Sequence, residues 1–295
     1  MDMQTRHRSL NLSAGLASVT VALCLVGLKL WALGITSSLA VAASLTDSAL
    51  DLMISLAGLV AILYAARPAD EDHAFGHSSA EDLAALGQSV FILVSGSVIG
   101  VSAIRRLLAD SPVPLAAEGR GIAVMGFSVV LTVALVLWQR RVARQTGNRV
   151  VLADSLHYLS DLVPNLGAIA ALWMSRRFGI VQVDNVVALG AAVMLLVGAL
   201  RIGKGAWDAL MDRSADPELI AAIEALVRDW PGVRGFHDLK TRMAGSRVFV
   251  NIHIELDGDQ TLREAHAIGA ALRRRIIETW PQCDVIIHKD VAGET

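Results

Sequence analysis

Four polar residues interrupt stretches that are otherwise apolar enough for lipid. Asp47 and Asp51 stand four apart in "SLTDSALDLM", inside the run from Leu39 to Ala65 that is mostly Ala, Leu, Val and Ile. His157 and Asp161 stand four apart in "ADSLHYLSDLVPN". On a helix, positions i and i+4 share a face. A carboxylate at the centre of a membrane-spanning helix costs ~2.5–3.5 kcal/mol on insertion scales, so two on one helix call for compensation. Three carboxylates and one imidazole meeting at one depth make a four-ligand oxygen/nitrogen site for a divalent metal. The charge of the cation then offsets the burial of the acids. Ionisable residues inside membranes mark ion or proton paths. The blander alternative is a structural pair that hydrogen-bonds to a neighbouring helix, and it leaves the second, matched pair unexplained.

The elements that would position these groups are long apolar helices. The chain has 295 residues, of which 54% are hydrophobic and 18% charged, and its mean hydropathy is +0.53. That balance points to a membrane protein. The net charge of −2 carries no nucleic-acid footprint, and two cysteines make no disulfide framework. No cleavable signal peptide is expected, because the first apolar run has spanning length and lacks a small-residue cleavage pattern. Six runs are long enough to cross a bilayer: residues 13–36, 38–66, 83–107, 122–138, 150–173 and 185–202.

Lys and Arg set the orientation. Arg6, Arg8, Arg67, Arg140, Arg141, Arg144, Arg149, Arg201, Lys204 and Arg213 collect on one side, and Arg105, Arg106, Arg120, Arg176 and Arg177 on the other. Both termini are therefore expected in the cytoplasm, at an inner membrane. Span two then runs inward and span five outward. At 1.5 Å per residue, Asp47 and Asp51 lie ~13–20 Å from the start of their span, and His157 and Asp161 ~10–17 Å from the start of theirs. Both pairs fall near mid-depth. Lys29 in span one is a poor ligand and is expected to snorkel to the outer interface. Asp154 is expected nearer the inner interface, solvating an entrance. Asn165 is a candidate supporting group, and Pro164 a candidate kink.

After Asp212 the sequence turns mixed and polar, and the domains are expected at 1–212 and 213–295. Pro217 to Trp230 has helical spacing, with Asp216 placed to cap it. Val248 to Leu256 alternates, with Val248, Val250, Ile252, Ile254 and Leu256 on one face and Phe249, Asn251, His253 and Glu255 on the other. "RMAGSR" is a turn, which makes 233–241 the partner strand. Leu262 to Trp280 reads as a helix and 285–288 as a short strand. The order αββαβ gives helices on one face of a three-stranded sheet.

Eight histidines are present. His7 sits in a basic tail and is expected to be solvated. Between spans two and three, "RPADEDHAFGHSSAEDL" offers Asp70, His73 and His77 as a three-ligand patch, with Glu71 and Asp72 as alternates. In the tail, His237, His253, His266 and His288 are joined by Asp290, a density that favours a His/Asp metal cluster. The spacing alone leaves open which of them converge.

The segments "SLTDSALD", "PADEDHAFGHSSAEDLAAL", "ADSLHYLSD", "FHDLKTR", "NIHIE" and "VIIHKD" resemble the cation diffusion facilitator family, in its bacterial zinc/iron branch, over essentially the whole chain. The resemblance implies a membrane all-α six-helix bundle with a cytoplasmic αββαβ, metallochaperone-like α+β domain, assembled as a homodimer. It implies a transport site of Asp47, Asp51, His157 and Asp161, and a loop site of Asp70, His73 and His77. It further implies a binuclear zinc site of His237, His253, His266, His288 and Asp290 that holds the two tails together. It implies a metal exporter that takes up protons in exchange, and not an enzyme. One position departs from close relatives: Ser79 stands where a Lys pairs with the Asp after span six, while that Asp is retained as Asp212.

The Asp₃His set is borderline in softness. It suits Zn²⁺ first, then Cd²⁺ and Fe²⁺, whereas all-oxygen sites lean to Mn²⁺ or Mg²⁺. Two other classes compete with transport. A membrane-anchored metal receptor has no use for four ligands at mid-membrane. An intramembrane metalloenzyme needs a general base and an open position, and no H-E-x-x-H pattern is present.

Overall fold

The computed structural model describes residues 3–36, 39–108, 119–160, 162 and 183–293. The side chain of Asp47, and Asp161, Pro164 and Asn165 altogether, lie outside the described residues. The chain divides into two compact units, one of residues 7–206 and one of residues 207–295 with the first six residues.

In the larger unit, helices follow the apolar runs. They are α1 (Met3–Thr36), α2 (Leu39–Ala65), α3 (Ser79–Leu108), α4 (Gly119–Thr146), α5 (residues 149–160) and α6 (Val183–Leu210). Among the described residues, four helical stretches are long and apolar enough to cross a membrane: Thr5–Trp31, Ser48–Ala65, Ser79–Arg105 and Gly126–Thr146. Large side chains on their outer faces are exposed, among them Val60, Val94 and Val130. Such faces suit lipid, which solvates apolar surface as well as a protein core does.

Small and polar residues bring the helices together. A Cβ on Gly58 of α2 would stand 3.1 Å from Gln88 Nε2 of α3 and 3.3 Å from Val150 of α5, and one on Gly198 of α6 would stand 2.7 Å from Leu156 of α5. The missing side chains let α5 pack against both neighbours. Ser18 Oγ on α1 donates to Ser55 Oγ on α2 at 2.8 Å, and Ser55 Oγ lies 2.9 Å from the Tyr158 hydroxyl on α5. Arg149 at the start of α5 donates to Asp82 on α3, whose carboxylate is buried. The Lys29 ammonium donates to Ser48 Oγ on α2 at 2.6 Å.

The smaller unit contains α7 (Pro217–Arg228), β1 (Gly235–Ala244), β2 (Arg247–Leu256), α8 (Leu262–Thr279) and β3 (Cys283–Val291). The sheet order is β1-β2-β3, with β1 antiparallel and β3 parallel to β2. A parallel neighbour needs a crossover, and α8 supplies it. The alternation of β2 is realised: Val250, Ile252 and Ile254 are buried against Ile223 and Val227 of α7 and Leu272 and Ile276 of α8. Phe249 on the opposite face is also buried, with the Arg242 guanidinium 4.3 Å above its ring. The outer strands run longer than their β-branched cores suggest, because ladder pairing with β2 extends them. Asp216 stands at the N-cap of α7 without a capping hydrogen bond from its side chain, and Pro217 starts the helix. Thr261 and Glu264 instead form a full capping box on α8.

Candidate metal centres

The sheet register builds the tail cluster. His237 of β1 lies opposite His253 of β2, and His253 lies opposite His288 of β3. Three imidazoles therefore form a row across one sheet face, with ring centroids 5.1 and 4.6 Å apart. Asp290, two residues beyond His288, returns to the same face. Its Oδ2 is 2.9 Å from His253 Nδ1 and 3.4 Å from His237 Nε2, and its Oδ1 is 3.1 Å from His288 Nε2. Ligand atoms of His237, His253 and Asp290 all lie within 4.8 Å of one another. A tetrahedral zinc with N/O ligands at ~2.0–2.1 Å sets neighbouring ligand atoms about 3.4 Å apart, so these spacings fit a zinc ion. His266 is exposed on α8, outside this group of three.

Glu255 was not among the expected site residues. Its Oε1 is 3.2 Å from His237 Nδ1. A carboxylate on the far nitrogen of a ligating histidine holds the tautomer that leaves Nε2 free for metal. The sequence signal is its position two residues after His253 in "NIHIE", on the same strand face.

Asp70, His73 and His77 lie close together in the loop after α2. Asp70 Oδ1 lies 3.2 Å from His73 Nδ1, and Asp70 Oδ2 lies 3.3 Å from His77 Nε2. The His73 backbone N–H donates to Asp70 at 2.7 Å and, with the two imidazoles, holds its carboxyl below the usual carboxylate range. His77 is buried, and its Nδ1 has no hydrogen-bond partner. The nitrogen that faces Asp70 is Nε2, which makes it the ligand atom His77 offers to this group. Its ring packs edge-on against Tyr64, over which the Arg67 guanidinium lies. Glu71 and Asp72 are exposed and outside the group.

In the membrane-helix unit, α2 and α5 meet at Asp51 and His157. Asp51 Oδ1 is 3.1 Å from His157 Nε2, and the two side chains are 15% and 6% exposed. The Phe91 ring of α3 stands edge-on to His157 at 5.7 Å. Asp51 and His157 thus supply two ligand atoms from two helices. Asp154 corrects an expectation. It is buried, not solvating an entrance, and it accepts a hydrogen bond from Gln139 Nε2 of α4 at 2.6 Å. Helical geometry explains the difference: three residues before His157, Asp154 points between α1, α2 and α4 and not outward.

Asp212, after α6, takes a left-handed backbone conformation with φ of 56° and pairs with Arg242 of β1 at 3.2 Å. The cation beside it in this chain comes from the tail sheet, while residue 79 is a serine.

A model of the cation efflux transmembrane domain matches residues 15–211, and a model of the cation efflux protein cytoplasmic domain matches residues 215–291. The chain is 40% identical over 277 residues to the cation-efflux pump FieF of Klebsiella pneumoniae subsp. pneumoniae, covering 94% of this chain and 91% of that protein. The FieF pump of Cronobacter sakazakii is likewise 40% identical, and that of Salmonella typhi 39%, over the same shares. Among solved structures, the Zn form of CzrB is 33% identical and spans 29% of this chain and 98% of its own, with a TM-score of 0.27. The metal-bound C-terminal domain of the CzcD transporter from Thermotoga maritima is 25% identical over 26% of this chain and 92% of its own, with a TM-score of 0.26. The chain belongs to the cation efflux, or cation diffusion facilitator, family, as a multi-pass membrane protein with an appended α+β domain.

Proposed function

We propose that this protein exports divalent metal, zinc first and then cadmium or iron, from the cytoplasm in exchange for protons. The observation that carries the reading is the cross-helix contact of Asp51 with His157, two metal-capable groups on neighbouring helices. Asp47 and Asp161, four residues in sequence from Asp51 and His157, would complete the ligand set. The carboxylates and the imidazole must shed protons to hold metal, so metal loading releases protons and returning protons displace the metal. Two halves of the bundle would rock about this site and expose it to each side in turn.

The loop set Asp70, His73 and His77 would receive metal at the cytoplasmic face. The tail set His237, His253, His288 and Asp290, with His266, would bind zinc and clamp a homodimer. Residues 1–212 would form the transport domain and 213–295 the tail, with both termini in the cytoplasm at an inner membrane. The test uses proteoliposomes with a set pH gradient. Zinc uptake should follow that gradient and cease when an ionophore collapses it. Uptake indifferent to the gradient would refute proton exchange. The receptor alternative predicts binding without any uptake.

A further inference from the structure

The strongest unassigned feature is a small, mainly apolar-walled cavity beside Asp154, which stands one helical turn from His157. A cavity of about 10 Å³ is lined by Asp154, Gln139 and Ser55, with Gly15 and Gly58 among its apolar walls. About 10–15 Å³ suffices for one water. Two acceptors in this region are buried without a hydrogen-bond donor, Asp154 Oδ1 and Gln139 Oε1. Ser18 faces the same carboxylate, but its hydroxyl donates to Ser55 at 2.8 Å. Gln139 spends its amide N–H on Asp154 Oδ2. Two buried oxygens that both lack a donor call for a proton or a water beside them. Among the described residues, the titratable groups facing Asp154 are Asp51 from α2 and His157 and Tyr158 from α5. The neighbours from α1 and α4, Ser18 and Gln139, carry no charge.

We propose that Asp154 is a proton-holding group, separate from the metal ligands, that relays protons through this one-water cavity between the Asp51–His157 site and the cytoplasm. The relay rests on the proton-exchange reading above. When metal binds, Asp154 Oδ1 gives its held proton to the cavity water, which passes one of its own toward the cytoplasmic start of α5, where Val150 and Val151 line the cavity. The proton shed by the Asp51–His157 site then reloads that oxygen. No other bond changes, and the carboxyl is neutral while loaded, which suits its burial.

The test uses the full chain, with a pH dye reporting protons and radioactive zinc reporting uptake. Asp154→Asn should slow zinc-driven proton movement and zinc turnover together, by about tenfold or more. The zinc bound per chain at equilibrium should stay unchanged. The infrared band of a protonated carboxyl in the metal-free protein should disappear. Gln139→Leu keeps the carboxyl and removes a partner, so the same band should shift; it serves as the readout if Asp154→Asn does not fold. Wild-type turnover or an unchanged carboxyl band in Asp154→Asn overturns the relay, and so does an unshifted band in Gln139→Leu. Loss of bound zinc also overturns it and makes Asp154 a ligand. If the wild type itself moves no protons with zinc, the exchange reading fails and the relay with it. Protons moving equally in wild type and Asp154→Asn defeat the relay alone.

Discussion

Zinc should stabilise the tail by an amount that the cluster's geometry allows to be estimated. Residues 213–295 carry their own core, with Ile223, Val250, Ile252, Leu272 and Ile276 buried together. Ligands on three strands converge, so an ion there binds the folded sheet and not the unfolded chain. At free zinc a hundredfold above Kd, the stabilisation is about 2.7 kcal/mol. For a unit of 60–100 residues, 1 kcal/mol moves Tm by about 4–8 °C, so zinc should raise Tm by roughly 11–22 °C. His253 is the middle imidazole of the row, and His253→Ala should reduce the zinc increment to under about 4 °C. Glu255→Gln keeps every ligand but removes the carboxylate that orients His237. A tenfold loss of affinity from that change would trim the increment by about 1.4 kcal/mol, or roughly 6–11 °C. Trp230 and Trp280, both packed on the core, report the unfolding. The assay is a thermal melt of residues 213–295 with chelator and with zinc. Equal Tm values in the two conditions, or a full zinc increment in His253→Ala, would refute the reasoning.

Leu272→Ala should cost about 2–5 kcal/mol of tail stability, measured by urea unfolding, because Leu272 is fully buried between α8 and the sheet. Hydrogen bonds from the Thr261 backbone N–H and then its hydroxyl hold the Glu264 carboxyl below its usual range. A depressed folded-state pKa contributes stability above the unfolded value of about 4.3 and loses it as pH falls through the folded value. Thr261→Ala should therefore lower Tm at neutral pH and shrink its further decline in acid; parallel pH profiles would contradict this. His157→Asp should raise manganese uptake relative to zinc in vesicles, since it replaces nitrogen with oxygen. An unchanged metal preference would mean that His157 does not select.

Much of the site was legible because helical and strand periods are short and strict. The i, i+4 spacing of Asp47 with Asp51 and of His157 with Asp161 predicts two faces, and the structure brings Asp51 and His157 together. The alternation in "RVFVNIHIEL" gives both the buried face of β2 and the polar face carrying His253. What escaped depends on three-dimensional register. The row of His237, His253 and His288 arises from one antiparallel and one parallel pairing, and no single strand encodes it. Glu255 gains its role from that same pairing. Asp154 was placed near water by counting from the span's start, yet rotation about the α5 axis decides its surroundings. The capping box at Thr261 and the absent side-chain bond at Asp216 differ in local geometry that composition does not reveal.

The most direct measurement is zinc uptake by reconstituted protein under an imposed pH gradient, comparing wild type with Asp51→Ala and His157→Ala. The account predicts that either substitution abolishes uptake while the tail still binds zinc. Wild-type uptake in either variant would contradict it.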